Sequence, residues 1–172
     1  MNRKLFTIVE LLVVIGIIAI LSALIFPALG KSRDRAKKTA CQGNLRQLGT
    51  ALNIYADNNM AFLPPCRAIG DSPDDPACIA NMLDIQTRKI FACPSDSEEK
   101  YDGLSFSGKH GSSYEWNPWG NGKKIDKSSI EFQSMYFSVP LLFDADKFHG
   151  SMGNNYLFAD GSVAEKLDIN VQ

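Results

Sequence analysis

The sequence lacks the short motifs that mark the common enzyme classes. It contains no G-x-S-x-G, G-x-x-x-x-G-K-[ST], G-x-G-x-x-G or H-E-x-x-H, which are typical of hydrolases, phosphate loops, dinucleotide sites and zinc proteases. Histidine is scarce, because His110 and His149 are the only two in the chain. Neither takes part in a familiar arrangement of nucleophile and base. We therefore expect a protein that is not an enzyme and requires no cofactor.

The chain as a whole also lacks a large net charge of either sign. The formal net charge is −1, so bulk charge does not favour nucleic acid, and we expect no nucleic-acid partner. The average hides an asymmetry. Residues 1–38 hold seven Lys or Arg and two Asp or Glu, a balance of +5, so the remainder carries −6. This pattern indicates a basic neck joined to an acidic body.

Charged residues are absent from positions 11–30. The longer segment 6–29 is apolar except at a few positions, which are Thr7, Glu10, Gly16, Ser22 and Pro27. About 20 apolar residues in a helix cross the hydrocarbon core of a bilayer. The segment therefore predicts one membrane-spanning helix, with the lipid bilayer as a partner.

The helical pattern continues beyond Pro27. A basic collar comes first, made of Lys31, Arg33, Arg35, Lys37 and Lys38. Apolar residues then recur at steps of four, three, four and three, at Cys41, Leu45, Leu48, Leu52 and Tyr55. This spacing is typical of an amphipathic helix with one apolar stripe. We expect nearly one helix over 6–58 with a bend at Pro27, because proline removes an intrahelical hydrogen bond.

From residue 62 onward the sequence is rich in residues that favour loops. Residues 81–91 predict a short helix, and residues 95–122 predict an irregular segment. Residues 134–143 predict a strand that Pro140 breaks or confines to a sheet edge. The strongest signal is Asp160-Gly161 between two strand-like segments at 155–159 and 162–167. It predicts a hairpin with a two-residue type I′ turn.

Glu10 distinguishes three interpretations of the N-terminal segment. A secretory signal peptide fits the basic start and a cleavage site at 28–30, and a plain anchor fits the length. Neither explains a carboxylate in the apolar stretch, where a charge costs about 2.5–3.5 kcal/mol on insertion scales. If the chain is cut before Phe6, the new α-amino group of one subunit neutralises Glu10 of a neighbour. Such pairing drives assembly and sets the axial stagger of the subunits.

The N-terminal sequence F-T-I-V-E-L-L-V-V-I-G-I-I-A-I-L, at 6–21, resembles the cleavage and methylation segment of type IV prepilins and type II secretion pseudopilins. The chain also resembles pseudopilin-like proteins whose C-terminal domain ends in a His…Asp-Gly motif. That resemblance covers C-Q-G-N-L-R-Q-L-G-T-A-L-N-I-Y-A-D-N-N at 41–59, F-A-C-P-S-D at 91–96, Ser113-Tyr114 with Asn117, and H-G-S-M-G-N-N-Y-L-F-A-D-G-S-V at 149–163.

The resemblance implies that a membrane prepilin peptidase cuts between Leu5 and Phe6 and methylates the new amino group of Phe6. It implies that Glu10 is the assembly carboxylate, with other pilin or pseudopilin subunits and an inner-membrane assembly platform as partners. It places a single span in the inner (cytoplasmic) membrane and the head on the extracytoplasmic, periplasmic side. The family usually has glycine where this chain has Leu5. The gap from His149 to Asp160 holds ten residues, one more than the expected form.

These observations predict an α+β, pilin-like fold. A leader peptide (1–5) precedes a transmembrane and assembly helix (6–29), an amphipathic continuation of that helix (30–60) and a globular head (61–172). The second half of the helix packs on a small antiparallel sheet. The predicted function is a structural pseudopilin-like subunit of a type II secretion or type IV pilus-like filament. The alternative is a membrane-tethered or secreted extracytoplasmic binding domain, with carbohydrate as one candidate ligand.

Three aspartates are candidate metal ligands in the head. Asp144, Asp146 and Asp160 supply hard oxygen ligands of the kind that Ca²⁺ prefers, and loop carbonyls complete such sites. Some pseudopilins that this chain resembles bind calcium in their C-terminal loops, so Asp144 and Asp160 are candidate calcium ligands. The competing interpretation is that Asp146 is a solvated loop charge and that Asp160 only makes the turn.

Four cysteines occur without any C-x-x-C spacing, which disfavours a zinc ribbon or a thioredoxin-type site. An even number behind an export-type N-terminus suits disulfides in an oxidising compartment, whereas four buried thiols are the alternative. A Cys66–Cys78 bond closes a short loop and leaves Cys41–Cys93 to tie the helix to the head. All three connectivities remain open from the sequence.

Overall fold

The computed structural model describes residues 7–66, 79–83, 85, 87–97, 101, 103–126, 129–132 and 135–167, with backbone only at 126, 129–132 and 135–137. The chain divides into two compact units, Met1–Ala36 and Lys37–Gln172. One long helix, α1 (Ile8–Asn58), contributes residues to both units, and it is continuous through Pro27.

The part of α1 in the first unit is apolar on every face. The five consecutive residues from Leu11 to Ile15 are each between 45% and 63% exposed, so no single face is covered. An all-round apolar helix is typical of a membrane span rather than of a surface helix. The helix is the one candidate span among the described residues, by its length and composition.

The part of α1 in the second unit buries one stripe. Its buried residues are Lys38, Cys41, Leu45, Leu48, Gly49, Leu52 and Ala56. The helix ends at Asn58, where the N–H of Ala61 donates to the carbonyl of Ala56 at 2.8 Å. Met60 and Ala61 close this end with φ of 52° and 66°, in the left-handed region that commonly ends helices.

A four-stranded antiparallel sheet packs against this stripe. Its spatial order is β1-β5-β6-β7, with β1 at Tyr114–Trp116, β5 at Pro140–Asp144, β6 at Tyr156–Phe158 and β7 at Val163–Ala164. Leu142 of β5 and Leu157 of β6 are fully buried and belong to the same core cluster as Leu45 and Leu48. The predicted α+β, pilin-like fold is therefore confirmed.

Smaller elements complete the head. Helix α2 spans Ile79–Met82 and α3 spans Phe106–His110, and short 3-10 turns occupy Arg88–Phe91, Pro118–Gly120 and Gly150–Met152. A three-stranded antiparallel sheet has the order β2-β3-β4, with β2 at Ile125–Asp126, β3 at Ser129–Phe132 and β4 at Met135–Phe137. The N–H of Leu63 donates to the carbonyl of Lys123 at 2.8 Å, which ties the chain after α1 to this region.

The predicted irregular segment at 95–122 is wrong in part. It contains α3 and the edge strand β1, which pairs with β5 in the register Tyr114↔Asp144 and Trp116↔Leu142. The segment is rich in short polar residues, which favour loops in a sequence-based prediction. In the structure some of them cap the helix instead. Ser105 accepts a hydrogen bond from the N–H of Gly108 at the start of α3, and Gly111 ends that helix with φ of 79°.

Two predictions about the C-terminal strands need correction. The predicted strand is broken, because β4 ends at Phe137 and β5 begins at Pro140. However, β5 is an interior strand and not an edge, since it pairs with both β1 and β6. Proline is tolerated there because it is the first residue of the strand, beside a register shift between Pro140 and Leu142. The structure therefore supports the break and rejects the edge.

The β6–β7 hairpin is present, but its turn is not type I′. Type I′ requires positive φ at both central residues, and Gly161 at 81° is the only turn residue with positive φ. The N–H of Gly161 donates to the carbonyl of Phe158 at 3.0 Å, and the N–H of Phe158 donates to the carbonyl of Ser162 at 2.9 Å. This is the longer hairpin loop in which a left-handed glycine follows the tight turn.

Candidate functional site

A reciprocal cap holds the start of α1. The backbone N–H and the hydroxyl of Thr7 both donate to Oε2 of Glu10, at 2.9 and 2.8 Å. The N–H of Glu10 donates in turn to the Thr7 hydroxyl at 3.2 Å. This is the capping box expected from T-x-x-E, a signal that the sequence prediction did not use. Glu10 therefore has a local capping role, and its role in assembly stays a prediction.

The predicted processing site precedes this cap. Leu5 and Phe6 lie outside the described residues, so cleavage between them and methylation of Phe6 stay predictions. Glu10 is exposed, as are the apolar side chains that follow it. A helix with this surface places its side chains against lipid or against other helices, because either environment removes them from water.

A disulfide joins α1 to the head. Cys41 and Cys93 are bonded across a sequence separation of 52 residues, and both are buried. Cys66 is also buried, with its Sγ 3.4 Å from Sδ of Met82. The predicted Cys66–Cys78 pairing stays a prediction because Cys78 lies outside the described residues.

A buried polar cluster lies beside this disulfide. It consists of Lys38, Asp144, His149 and Asn155, all at most 5% exposed. Nε2 of His149 lies 3.5 Å from Oδ2 of Asp144 and 3.6 Å from Sγ of Cys93. Oδ2 of Asp144 accepts hydrogen bonds from the backbone N–H and the side-chain amide of Asn155, at 2.7 and 3.0 Å.

Two buried atoms of this cluster lack partners. Among the described residues, Oδ1 of Asp144 and Nδ1 of His149 make no hydrogen bond. Unpartnered buried polar atoms are rare and costly, at about 1–3 kcal/mol each. The sequence prediction gave Asp144 as a candidate calcium ligand and found no catalytic arrangement around His149. It did not bring either residue to the disulfide.

Lys38 connects α1 to the cluster. Its ammonium donates to the carbonyl of Met152 and forms an ion pair with Glu165 at 3.4 Å. The sequence prediction assigned Lys38 to the basic collar and not to the buried stripe. The missed signal is spacing, since Lys38 precedes Cys41 by three residues and Leu45 by seven, which places it on the buried stripe.

Burial governs the electrostatics of this cluster. It raises the pKa of Asp144 to about 6, against the opposing effect of the Asn155 hydrogen bonds and of Lys38. Burial also lowers the pKa of His149, and the positive charge of Lys38 lowers it further. Both shifts favour neutral side chains in this dry environment.

The predicted calcium ligands lie in different surroundings. Asp144 is buried in the polar cluster, whereas Asp160 is exposed and its Oδ1 accepts from the N–H of Ser162 at 2.8 Å within the hairpin turn. Asp146 accepts from the hydroxyl of Tyr101. Among the described residues, the only metal-type grouping of three is Cys41, Cys93 and His149. Calcium binding by Asp144 and Asp160 stays a prediction.

The F-A-C-P-S-D motif has a structural role in the head. Asp96 accepts from the N–H groups of Phe106 and Ser107, both at 2.7 Å, and from the hydroxyl of Ser113 at 2.8 Å. Its carboxylate therefore organises the start of α3 and the approach to β1. Cys93 of the same motif supplies the disulfide.

The chain is similar to a known protein of type II secretion. Over 57 residues the chain is 37% identical to the type II secretion system core protein G of Pseudomonas aeruginosa. The match covers 33% of this chain and 40% of the length of that relative. No protein-family model and no solved structure matches the chain. Together with the long apolar helix, the match fits a pseudopilin-like protein that is anchored in a membrane.

Proposed function

We propose that this chain is a structural, non-enzymatic pseudopilin-like subunit that assembles with other pilin or pseudopilin subunits through α1. The observation that carries the proposal is the first half of α1, which is apolar and exposed on every face and has Glu10 in its first turn. Such a helix anchors the subunit in a bilayer before assembly. In a filament, the same apolar surface packs against the helices of neighbouring subunits.

Processing and location complete the proposal. A prepilin peptidase cuts between Leu5 and Phe6 and methylates Phe6, and an inner-membrane platform adds the subunit to the filament. The head faces the extracytoplasmic, periplasmic side. The Cys41–Cys93 disulfide supports this orientation, because disulfides persist in oxidising compartments.

Glu10 is the assembly carboxylate in this proposal. Inside the apolar region its charge is unfavourable by about 2.5–3.5 kcal/mol on insertion scales, and the α-amino group of Phe6 on a neighbour offsets that penalty. The capping box offers a competing explanation, because Glu10 also binds the N–H and hydroxyl of Thr7. The two roles differ in what they need: assembly needs a negative charge, whereas the cap needs only a hydrogen-bond acceptor.

Two substitutions separate the roles. Glu10→Gln keeps an acceptor at the third helical position, where Glu and Gln both complete a capping box, but removes the charge. Glu10→Ala removes both. We expect both variants to insert in membranes and both to lose the sheared, sedimentable filament fraction. If Glu10→Gln assembles like the unmodified chain while Glu10→Ala does not, Glu10 acts as a cap and the pairing mechanism is wrong.

The mature N-terminus tests the function itself. Mass spectrometry of the protein from membranes should find N-methyl-phenylalanine at position 6. An intact Met1 would instead support a tethered binding domain, and a start near Lys31 would support a secreted one. Because the family usually has glycine where Leu5 stands, Leu5→Gly should increase the processed fraction relative to the unmodified chain.

A further inference from the structure

The Cys41–Cys93 disulfide lies next to an unusual set of donor atoms. His149 Nε2 is 3.6 Å from Cys93 Sγ and 3.5 Å from Asp144 Oδ2. The donor atoms of Cys41, Cys93 and His149 all lie within 4.8 Å of one another. The two sulfurs and the imidazole nitrogen are donors that suit zinc, and the Asp144 carboxylate lies beside that nitrogen.

Two spacings at this site fit a tetrahedral ion. With bonds of about 2.3 Å to sulfur and about 2.0–2.2 Å to nitrogen and oxygen, neighbouring ligands of a tetrahedral zinc lie about 3.3–3.8 Å apart. The Cys93–His149 and His149–Asp144 spacings already have these lengths. The two sulfurs are too close to share an ion in the disulfide form, because they are bonded to each other.

The surroundings also favour a cation. Oδ1 of Asp144 is buried and unpartnered among the described residues, so the carboxylate has capacity for another ligand. Asn155 donates to Oδ2, the oxygen that lies 3.5 Å from His149 Nε2, and holds it in place, as supporting hydrogen bonds do around metal ligands. Two thiolates balance the charge of a divalent ion, and the buried ammonium of Lys38 interacts with the negative charges of Asp144 and Glu165.

We propose that the dithiol form of this protein binds one borderline divalent cation, such as Zn²⁺, through Cys41, Cys93, His149 and Asp144, and that the disulfide form does not. A dithiol reductant gives two electrons and two protons to the Cys41–Cys93 bond, which breaks into two thiols while the reductant closes to a cyclic disulfide. Zn²⁺ then replaces both thiol protons, which pass to solvent. The same two residues thus tie α1 to the head in either redox state.

The test uses the full chain in detergent micelles, with Cys66→Ala and Cys78→Ala so that only the site cysteines remain. Zn²⁺ is titrated against a chromophoric chelator, and Co²⁺ serves as a spectroscopic probe. The dithiol form should bind one ion per chain and give the thiolate charge-transfer and tetrahedral bands of cobalt. The disulfide form should give neither, and adding a disulfide oxidant to the loaded protein should release the ion.

Two histidine variants provide the matched comparison. His149→Ala should weaken zinc binding by at least about tenfold, the lower bound known even for residues that only support a ligand. His110→Ala should leave it unchanged, because His110 is exposed on α3. Equal affinity in the two variants, or cobalt spectra without thiolate bands, would overturn the proposal.

If the dithiol form unfolds without metal, circular dichroism provides a second measurement of zinc binding. In that case Zn²⁺ should restore the near-ultraviolet circular dichroism of the buried aromatic residues Tyr114 and Trp116. Failure of Zn²⁺ to restore that signal in the chain with both site cysteines intact also contradicts the proposal. The outcome is independent of filament assembly, because it is measured on isolated chains.

Discussion

Gly49 lies where α1 closely approaches the sheet. A Cβ placed at this position would lie 2.8 Å from Cδ1 of Leu157, 3.4 Å from its Cδ2 and 3.5 Å from Cα of Gly161. Leu157 is fully buried, so its side chain has little room to move. The absence of a side chain at Gly49 therefore allows the helix to approach Leu157 this closely.

We predict that Gly49→Ala destabilises the head although alanine is the better helix former. Alanine in place of glycine inside a helix gains about 1 kcal/mol, while forcing a methyl group into a packed core costs about 1–3 kcal/mol. Gly43 lies in the same helix, and a Cβ there meets nothing within 4 Å. Gly43→Ala should therefore raise the unfolding free energy by the helix-propensity gain of about 1 kcal/mol, without a packing cost. The unfolding free energies of the two variants should then differ by about 1–3 kcal/mol.

The assay is urea unfolding of the full chain in micelles with the disulfide intact, followed by the fluorescence of buried Trp116. Leu157→Ala supplies a further check, because the methyl group that Gly49→Ala adds then enters vacated space. The double variant should show a favourable coupling energy for this contact. If Gly49→Ala is as stable as Gly43→Ala, the close approach does not limit packing and the reasoning is wrong.

Two more predictions concern the buried polar cluster and its disulfide. Replacing Cys41 and Cys93 with alanine should lower the unfolding free energy by about 4 kcal/mol, the loop-closure value for 52 residues; a midpoint unchanged in urea would contradict it. For Asp144, a pKa of about 6 against an ordinary 3.8 means that the folded state holds the proton more tightly. The contribution of Asp144 to the unfolding free energy is therefore fully present below about pH 4. It is lost as the pH rises through about 6, and the loss is about 3 kcal/mol. Asparagine cannot titrate, so the unfolding free energy of Asp144→Asn, relative to that of the unmodified chain, should rise by about 3 kcal/mol between pH 4 and pH 7. If the difference in unfolding free energy between the two chains does not change with pH, the argument is refuted.

The helix was predictable because its signals are local and repeated. The apolar segment and the stripe from Cys41 to Leu52 follow from composition and from the helical period, and both appear in α1. The α+β class followed from that helix and from the Asp160-Gly161 hairpin, which is present as β6 and β7. What failed was the turn type, because Asp160 is compatible with several turns and only tertiary packing selects one.

The short strands were less predictable. β1 has only three residues and pairs with β5 across a sequence gap that no local pattern encodes. Pro140 indicated an edge because proline lacks an N–H, yet the register shift beside it removes the need for one. Element length and long-range pairing, not residue preference, decided these cases.

The buried polar cluster shows the same limit for a site. His149 and Asp144 were visible as polar residues near the C-terminus, and Cys41 and Cys93 as a possible pair. Their meeting depends on β5, α1 and the loop after Phe91 reaching one place. The burial of Lys38 could have been predicted from its position on the apolar stripe of α1. However, a lysine on such a stripe more often keeps its ammonium group in solvent.

The Cys41–Cys93 bond also changes what a protease can do to this chain. A single cut of the backbone anywhere between these two residues yields two polypeptides that stay covalently joined. The N-terminal fragment would keep α1 up to the cut, and the head would not leave the membrane with the other fragment. On a gel, such nicked protein runs as one band without reductant and as two with it, so an intact-looking band can conceal a broken chain.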